Sequence, residues 1–394
     1  MNSGLPVNGS LLYTFWVMAG GGFTVHPILD RRPSWLIAAA TGFFLATLAT
    51  SSSAAGPILE CKAKDNARPI CIFTNPEDMV PLPGDQALII GEYGSSSEDH
   101  SGELVLFVLE SEERRTLFRG GDSPAAARAG WGDPSCTTPP TRAFNAHGID
   151  LVRRTDGTLQ LFVIQHAGRE AIESFEVLGH GADWQVVWRG CIPAPENASL
   201  NEVVGLPDGS LYTTKMSSLD GALDFEGGMP TKPTGHAFSW SAVRGFRKIP
   251  GTDGIMPNGI ETSPDGRFVY MNASGDSSIR KVEVATGREL GRAPVSSPDN
   301  VTWTPDGKRL LIASLTGLDP TDFSLCQDMK RGACGIPFEI VAVDAETMQP
   351  IGPIYTSDGP PMGAGTVGLQ VGNELFIGSF KGDRILRVSL EAAP

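Results

Sequence analysis

A hairpin motif that recurs along the chain constrains the fold more than any other feature of the sequence. Its clearest copy begins at Asp299, continues through alternating apolar residues to the turn Pro305–Gly307 and ends in the apolar run Leu310–Ala313. Alternating apolar residues bounded by turn formers predict two strands joined by a tight turn. In this copy a polar side chain, Asp299, lies six residues before the proline of the turn. That spacing identifies the other copies.

The same spacing relates Asn258 to Pro264 and Asn201 to Pro207, and three weaker copies have less regular turns. The resulting six units begin near residues 77, 149, 201, 258, 299 and 365. Their period of about 58 residues exceeds that of small solenoids and is typical of a propeller blade with four strands. The sequence therefore predicts an all-β protein, a six-bladed propeller with a central channel. Residues 61–74 are interpreted as an entry segment before the first unit.

The charge balance excludes two classes of partner. The chain has 45 acidic and 31 basic side chains, which gives a net charge of −14 over 394 residues. Nucleic acids and anionic membranes are bound through basic patches, so we expect neither as the main partner. An acidic chain suits calcium binding and a small-molecule substrate.

The first 55 residues differ in composition from the rest. Arg31 and Arg32 precede an apolar run at 35–48 and the small residues 51–55. This order is typical of a secretory signal, so we assign 31–55 to a signal peptide and 56–394 to the propeller. The alternative is an uncleaved membrane anchor, although the run is shorter than the ~20 residues that span a bilayer. Residues 1–30 form an unassigned N-terminal extension.

The cysteines are consistent with export, to the outside of the cell or to a periplasm. The chain has six, without the CxxC spacing of a metal site, and this favours disulfides. We predict a bond between Cys326 and Cys334, while the partners of the other four stay open. Buried free thiols are the alternative.

One ring of oxygen donors follows from the repeat. Inner strands of a propeller converge on the central channel, so residues at the same place in each unit point to a common spot. The residues selected in this way are Glu77, Asn201, Asn258, Asp299 and Asn300. Ca²⁺ takes about 6 to 8 oxygens from carboxylates, amides, carbonyls and water, whereas zinc favours cysteine and histidine. Each residue alone could be a turn or cap residue, and a sequon at Asn300 would exclude that side chain if it were glycosylated.

Two histidines belong to the same unit. His147 lies at the polar tip of that unit, and His166 ends an apolar strand. A neutral imidazole near a polarised carbonyl can take a proton from water while a second imidazole orients it. Packing is the alternative role for either ring. The sequence has no G-x-S-x-G elbow, P-loop or HExxH motif that would indicate another chemistry.

At these positions the chain resembles the paraoxonase/arylesterase family, within the superfamily of gluconolactonase-like propellers. The resemblance covers most of residues 70–392. The segments that carry it are Pro76–Asp78, Phe144–Ile149, Gln165–His166, Leu200–Glu202, Asn258–Ile260, Ser263–Gly266 and Asp299–Asn300.

The resemblance implies two calcium ions in the channel. The ring of five residues would hold a catalytic ion, and Asp78, Glu202 and the carbonyl of Ile149 would hold a deeper structural ion. His147 and His166 match the family's proposed histidine dyad. Glu202 departs from the family pattern, which has aspartate there. A third family histidine is replaced near Leu315, and the family disulfide that ties the chain ends together has no counterpart.

Together these observations predict a calcium-dependent hydrolase of lactones, aryl esters or both, with His147, His166 and Asp299 as its catalytic residues. Two alternatives stay open at this point. One is a sugar lactonase of the gluconolactonase type. The other is a propeller without catalytic activity that keeps calcium for stability and binds a partner through its loops at 119–143, 215–235 and 314–336.

Overall fold

The arrangement of the strands confirms the predicted all-β propeller. A computed structural model describes residues 57–94, 101–121, 126–220, 230–317, 326, 329 and 331–390. These residues form 24 strands in six sheets of four, and each sheet is one blade. The first strand, β1 (Ala67–Ile70), belongs to the last blade rather than the first.

The first three blades follow the chain from the inside of the propeller outward. Blade 1 contains β2 (Pro76–Pro81), β3 (Ala87–Glu92), β4 (Glu103–Val108) and β5 (Arg114–Arg119). Blade 2 contains β6 (Ala146–Arg153), β7 (Leu159–Gln165), β8 (Ala171–His180) and β9 (Asp183–Pro193). Blade 3 contains β10 (Ser199–Gly205), β11 (Leu211–Ser217), β12 (His236–Ser241) and β13 (Gly245–Lys248).

The remaining blades repeat this order. Blade 4 contains β14 (Pro257–Thr262), β15 (Phe268–Ala273), β16 (Ser278–Glu283) and β17 (Glu289–Pro294), with a 3-10 turn at Ser274–Asp276. Blade 5 contains β18 (Pro298–Trp303), β19 (Arg309–Leu315), β20 (Phe338–Asp344) and β21 (Pro350–Ser357). Blade 6 contains β22 (Gly365–Val371), β23 (Glu374–Ser379) and β24 (Ile385–Ser389), and β1 completes it. The inner strands are therefore β2, β6, β10, β14, β18 and β22, which match the six predicted units.

The geometry of the turns explains why Pro-Asp-Gly recurs in the motif. Gly307 has a φ of 65° and Gly266 a φ of 68°, a left-handed conformation that glycine adopts without steric cost. The carboxylate of Asp306 accepts bonds from the Thr304 hydroxyl at 2.6 Å and from the Lys308 N–H at 3.1 Å. Such local bonds from an aspartate stabilise a tight turn. The Pro-Asp-Gly segments thus close the hairpins of the inner and second strands.

The core lies between adjacent blades. Leu104 and Leu106 of blade 1 pack in one cluster with Leu161 and Val163 of blade 2, and all four are fully buried. Adjacent inner strands contact one another around the whole ring. Each blade therefore depends on its neighbours for burial of its apolar surface, which makes closure of the ring important for stability.

The ring closes through the segment that the sequence predicted to be only an entry. There β1 pairs antiparallel with β24, with Ala67 opposite Val388. The guanidinium of Arg384 is fully buried beside it and donates to the carbonyls of Ile58, Glu60 and Pro361 at 2.6 to 3.1 Å. These bonds fasten residues 58–60 to blade 6. The entry segment is thus also the outer strand that joins the two ends of the propeller.

Three disulfides link all six cysteines. The predicted bond between Cys326 and Cys334 is present, and the other two join Cys61 to Cys71 and Cys136 to Cys191. Disulfides persist in oxidising compartments, so this set suggests an exported protein. The predicted signal peptide or anchor at 31–55 lies outside the described residues. Among those that are described, no helix has the length and apolar character needed to cross a membrane.

We expect Arg384→Met to lower the free energy of unfolding by about 3 kcal/mol, because three carbonyls and the carboxylate of Asp383 lose a buried charged donor. Denaturant titration monitored by fluorescence measures this change. Arg288→Met is the matched control, since the Arg288 side chain is 70% exposed and its ion pair is long, at 4.0 Å. Equal losses for both variants would contradict the role assigned to Arg384.

Candidate functional site

Every inner strand departs from regular pairing near its N-terminal end. The register with the second strand shifts between Pro76 and Asp78 in β2, and similar shifts interrupt β6, β10, β14, β18 and β22. An extra residue in one strand bends it and redirects side chains. The residues at these irregularities are Glu77, His147, Gly148, Asn201, Glu202, Asn258, Gly259, Asp299, Asn300 and Thr366. All five predicted ring residues are among them.

Contacts between blades bring three of these side chains together. Asn300 Nδ2 of blade 5 donates to Glu77 Oε1 of blade 1 at 3.0 Å. The same Glu77 oxygen lies 3.7 Å from His147 Nε2 of blade 2. Glu77, Asn201, Asn258 and Asn300 are buried, and Asp299 is half-buried. The structure thus brings Glu77 and Asn300 of the predicted ring together beside His147, while ligation of an ion by the five residues stays a prediction.

Side-chain hydroxyl and amide groups donate hydrogen bonds to backbone carbonyls where the strand pairing is interrupted. Carbonyls in these segments cannot all bond within the ladder, and unpaired buried carbonyls are costly. Side chains of a neighbouring blade donate to them, with distances of 2.6 Å for the three hydroxyl donors. The pairs are Thr366 to Glu77 O, Thr214 to Asn258 O, Ser274 to Pro298 O, and Asn272 to Asp299 O. These bonds fix the ring residues in place.

Four buried oxygens of these segments have no hydrogen-bond partner among the described residues. They are Glu77 Oε2, Asn201 Oδ1, Asn258 Oδ1 and Glu202 Oε2. A buried polar atom without a partner costs about 1 to 3 kcal/mol. Carboxylate and amide oxygens are the donors that Ca²⁺ prefers. In the described part of the chain no three His, Cys, Asp or Glu side chains form a metal cluster by themselves, so a cation here would need the amides as well.

The carboxyl groups in this region are strongly perturbed. Burial, reinforced by the charges of Asp78 and Asp299, raises the pKa of Glu77 well above its ordinary value. Burial likewise raises the pKa of Asp78 and that of Asp299 to about 7. Burial and the charges of Asp78 and Glu77 raise the pKa of Glu202 well above normal. Four carboxyl groups without a nearby cation therefore tend to retain protons, and a divalent ion would relieve their repulsion.

The residues predicted to hold the deeper ion also lie together. Asp78 accepts the Ile149 N–H at 2.7 Å through Oδ2 and the Met79 N–H at 2.8 Å through Oδ1. Glu202 accepts the Val203 N–H at 2.8 Å through Oε1 and keeps Oε2 free. The bond from Ile149 uses its N–H, and the predicted role of its carbonyl stays a prediction. The longer glutamate can reach its own strand and still present an oxygen.

The two histidines form a hydrogen-bonded pair. His147 Nδ1 lies 2.7 Å from His166 Nε2, and His166 Nδ1 lies 2.8 Å from Glu170 Oε2. Burial and the neighbouring His166 lower the pKa of His147 well below its ordinary value, so His147 is neutral at pH 7. The ring of Tyr93 packs edge-on against His147, with centroids 5.1 Å apart. Sequence reasoning found the pair and missed both Tyr93 and Glu170.

The sequon at Asn300 does not compete with the site. Asn300 is 3% exposed and its amide nitrogen already donates to Glu77. A glycan needs an exposed asparagine. The folded structure therefore leaves Asn300 available to the ring.

The family assignment rests on a match that spans nearly the whole propeller. Residues 74–386 match the sequence profile of the Arylesterase family. The chain belongs to the Arylesterase family. This membership supports hydrolysis of esters or lactones in general. No functionally curated protein matches the chain.

Several solved structures are similar to this one in shape. A gluconolactonase from Xanthomonas campestris shares 16% identity with a TM-score of 0.48, over 85% of this chain and 95% of its own. A luciferin-regenerating enzyme shares 15% identity with a TM-score of 0.48, over 81% of this chain and 92% of its own. A putative gluconolactonase shares 15% identity with a TM-score of 0.46, over 85% of this chain and 96% of its own.

We expect Gly148→Ala to destabilise the site. A Cβ at this position would lie 2.5 Å from Glu202 Oε1 and 2.6 Å from the carbonyl oxygen of Asn201, both below contact distance. Since the carbonyl belongs to the backbone of a neighbouring inner strand, the clash should cost about 1 to 3 kcal/mol. Thermal unfolding measures the loss. Gly317→Ala, just after β19, is the comparison: its added Cβ meets open space and its φ is positive, so it measures backbone strain without a clash. Gly148 is not among the positive-φ glycines, so its loss reports the clash.

We expect the metal-free protein to lose stability as pH rises from about 4 to 7. The folded pKa of Asp78 and of Asp299 is about 7, above the ordinary value of 3.8, so the folded state binds more protons in this window. The stability that these protonated groups contribute is present at low pH and is lost as the pH rises through the folded pKa. Tm measured in EDTA across this range tests the prediction. Asp299→Asn should flatten the decline, and an equally steep decline in that variant would contradict it.

Proposed function

We propose that this protein is a calcium-dependent hydrolase that opens lactones and cleaves aryl esters, with His147 as the base that activates water. One observation carries the proposal: His147 Nε2 is directed at Glu77, in a ring that contains buried oxygens without partners. Membership of the Arylesterase family supports the general reaction class.

The donor set is suited to two calcium ions. Glu77, Asn201, Asn258, Asp299 and Asn300 would hold the catalytic ion, and Asp78, Glu202 and the carbonyl of Ile149 would hold the structural one. Oxygen-only donors of mixed carboxylate and amide type fit Ca²⁺ better than zinc. A bound Ca²⁺ supplies a Lewis acid that polarises the substrate carbonyl and stabilises the oxyanion.

The protein's own groups handle the proton. Neutral His147 accepts a proton from water at Nε2, and the resulting hydroxyl oxygen forms a bond with the carbonyl carbon. The bond from that carbon to the ester oxygen breaks, and the proton on His147 passes to the departing oxygen. His166 holds the His147 ring in position at 2.7 Å. The His147 side chain is only 19% exposed, so few waters compete for it.

The compartment follows from the cysteines and the N-terminal sequence. Three disulfides favour an oxidising environment, outside the cell or in a periplasm. The predicted signal at 31–55 would direct the chain there, and an uncleaved apolar segment would leave it attached to a membrane. The partners that this function requires are small lactones or esters.

We expect Asp299→Asn to reduce kcat/KM for an aryl ester by about 10²-fold or more and to weaken calcium binding, because the ring loses one of its charges. Asp306→Asn is the matched control. It changes an aspartate of the same hairpin that serves only the turn, so its activity should equal that of the wild type. Steady-state kinetics and calcium titration by calorimetry measure both variants. Similar loss in both would contradict the placement of the ion.

We expect EDTA to abolish hydrolysis and added Ca²⁺ to restore it. We expect His147→Gln to reduce kcat by about 10² to 10⁴-fold, the usual contribution of a general base.

A substrate panel separates the reaction classes. It contains an aryl ester and aliphatic, acyl homoserine and aldonic lactones. Preference for aldonic lactones would favour a sugar lactonase. Stabilisation by Ca²⁺ without hydrolysis of any member would overturn the proposal in favour of a binding propeller.

A further inference from the structure

Glu170 makes two hydrogen bonds that no part of the proposed chemistry requires of it. It lies in the turn between β7 and β8, four residues after His166, and its side chain is 13% exposed. Oε2 lies 2.8 Å from His166 Nδ1, and Oε1 accepts the Leu200 N–H at 2.7 Å. Leu200 directly precedes Asn201, so one carboxylate touches both the histidine pair and the strand that presents a predicted ligand.

These bonds determine which ring nitrogens carry protons. A carboxylate accepts hydrogen bonds and does not donate them, so the contact with Glu170 requires a proton on His166 Nδ1. With its proton on Nδ1 and none on Nε2, His166 accepts a bond from His147 Nδ1–H at 2.7 Å. His147 in turn has a bare Nε2. That atom lies 3.7 Å from Glu77 Oε1, on the side of the predicted ring.

We propose that Glu170 is a positioning residue that sets the tautomers of both histidines and thereby leaves His147 Nε2 free to act as the base. The inference rests on the proposed hydrolase function for its catalytic consequence, but the tautomers themselves can be observed without catalysis. When His147 takes a proton from water, the positive charge is shared with His166 through their hydrogen bond. Glu170 faces that charge and stabilises it until the proton passes to the leaving oxygen.

The bond from Leu200 N–H determines which end of the side chain at position 170 faces His166. A backbone N–H can only donate, whereas an imidazole nitrogen can donate or accept. If Glu170 is replaced by glutamine, its single oxygen is retained by Leu200 and its amide NH₂ group faces His166. His166 Nδ1 must then accept, which transfers its proton to Nε2 and forces His147 into the Nε2–H form. The base would lose its free lone pair while the packing of the site is preserved.

Nitrogen-15 NMR of the full-length protein in CaCl₂ tests the first step directly, since long-range couplings distinguish Nδ1–H from Nε2–H imidazole. We expect the Nδ1–H form for His147 and His166 in the wild type. The Nε2–H form for His147 in the wild type would overturn the inference, whether or not the protein hydrolyses any substrate. This measurement needs no variant that could fail to fold.

Three variants test the consequence. We expect Glu170→Gln to invert both tautomers and to lower kcat by about 10² to 10⁴-fold with little change in KM. Glu170→Asp keeps an acceptor for each donor and should restore the Nδ1–H tautomers with part of the activity. Glu176→Gln is the control, because Glu176 is a buried carboxylate of the same blade that bonds Arg128 and Arg189 instead of histidine. It should retain wild-type tautomers and activity even if its Tm falls.

The outcomes separate this inference from the proposed function. A wild type with the expected tautomers and no hydrolysis of any lactone or ester would contradict the function and leave the role of Glu170 in setting the tautomers supported. An active wild type whose Glu170→Gln variant keeps both its tautomers and its kcat would overturn the inference alone.

Discussion

The site depends on one constraint: the inner strand of each blade loses its regular pairing at the same level of the channel. A regular strand would direct its side chains towards the neighbouring blades, where they would be packed in the apolar core. The irregularities at Glu77, Asn258 and Asp299 turn polar side chains towards the centre instead. They also release carbonyls from the ladder. Thr366, Thr214 and Ser274 satisfy these carbonyls, so the ring is held by hydrogen bonds between blades.

The same arrangement concentrates negative charge where water is scarce. Glu77, Asp78 and Glu202 are each less than 5% exposed. Within the part of the chain that the structure describes, no basic side chain donates a hydrogen bond to them. In such surroundings carboxyl groups either bind protons or need a cation. An oxygen-lined ring that is unfavourable by itself is a suitable place for a divalent ion. An ion bound there would therefore add to the stability of the fold.

The site also joins elements that are distant in the sequence. Glu77 and Asn300 are 223 residues apart, and their contact exists only if the ring of blades is closed. Closure depends on β1, which pairs with β24, and on the buried Arg384. Within blade 2, the turn that contains Glu170 links the histidine pair to blade 3 through Leu200. Contacts within blade 2 thus orient His147, the proposed base, and the bond from Leu200 ties this pair to blade 3. The contact between Glu77 and Asn300 joins blades 1 and 5.

The sequence by itself determined the blade count, the inner strands and the set of polar residues at their tips. It could do so because the same six-residue offset before a turn recurs in six units, three of which have the complete Pro-Asp-Gly turn. The turn residues and their offset from the polar tip lie within short segments, so they can be recognised in the sequence without knowledge of the fold. His147 and His166 were found for the same reason, since His147 lies at the polar tip of a unit and His166 directly follows an apolar strand segment.

Only the tertiary structure decided how the ring of blades closes and how His147, the proposed base, is oriented. The segment around β1 lies outside the repeated motif, and its partner β24 lies more than 300 residues away in the sequence. No local pattern therefore predicts this pairing. Glu170 resembles any exposed turn residue until blade 3 places the Leu200 N–H against its carboxylate. Burial likewise decided the protonation of Asp78 and Asp299, because a pKa depends on neighbours that only the closed channel brings together.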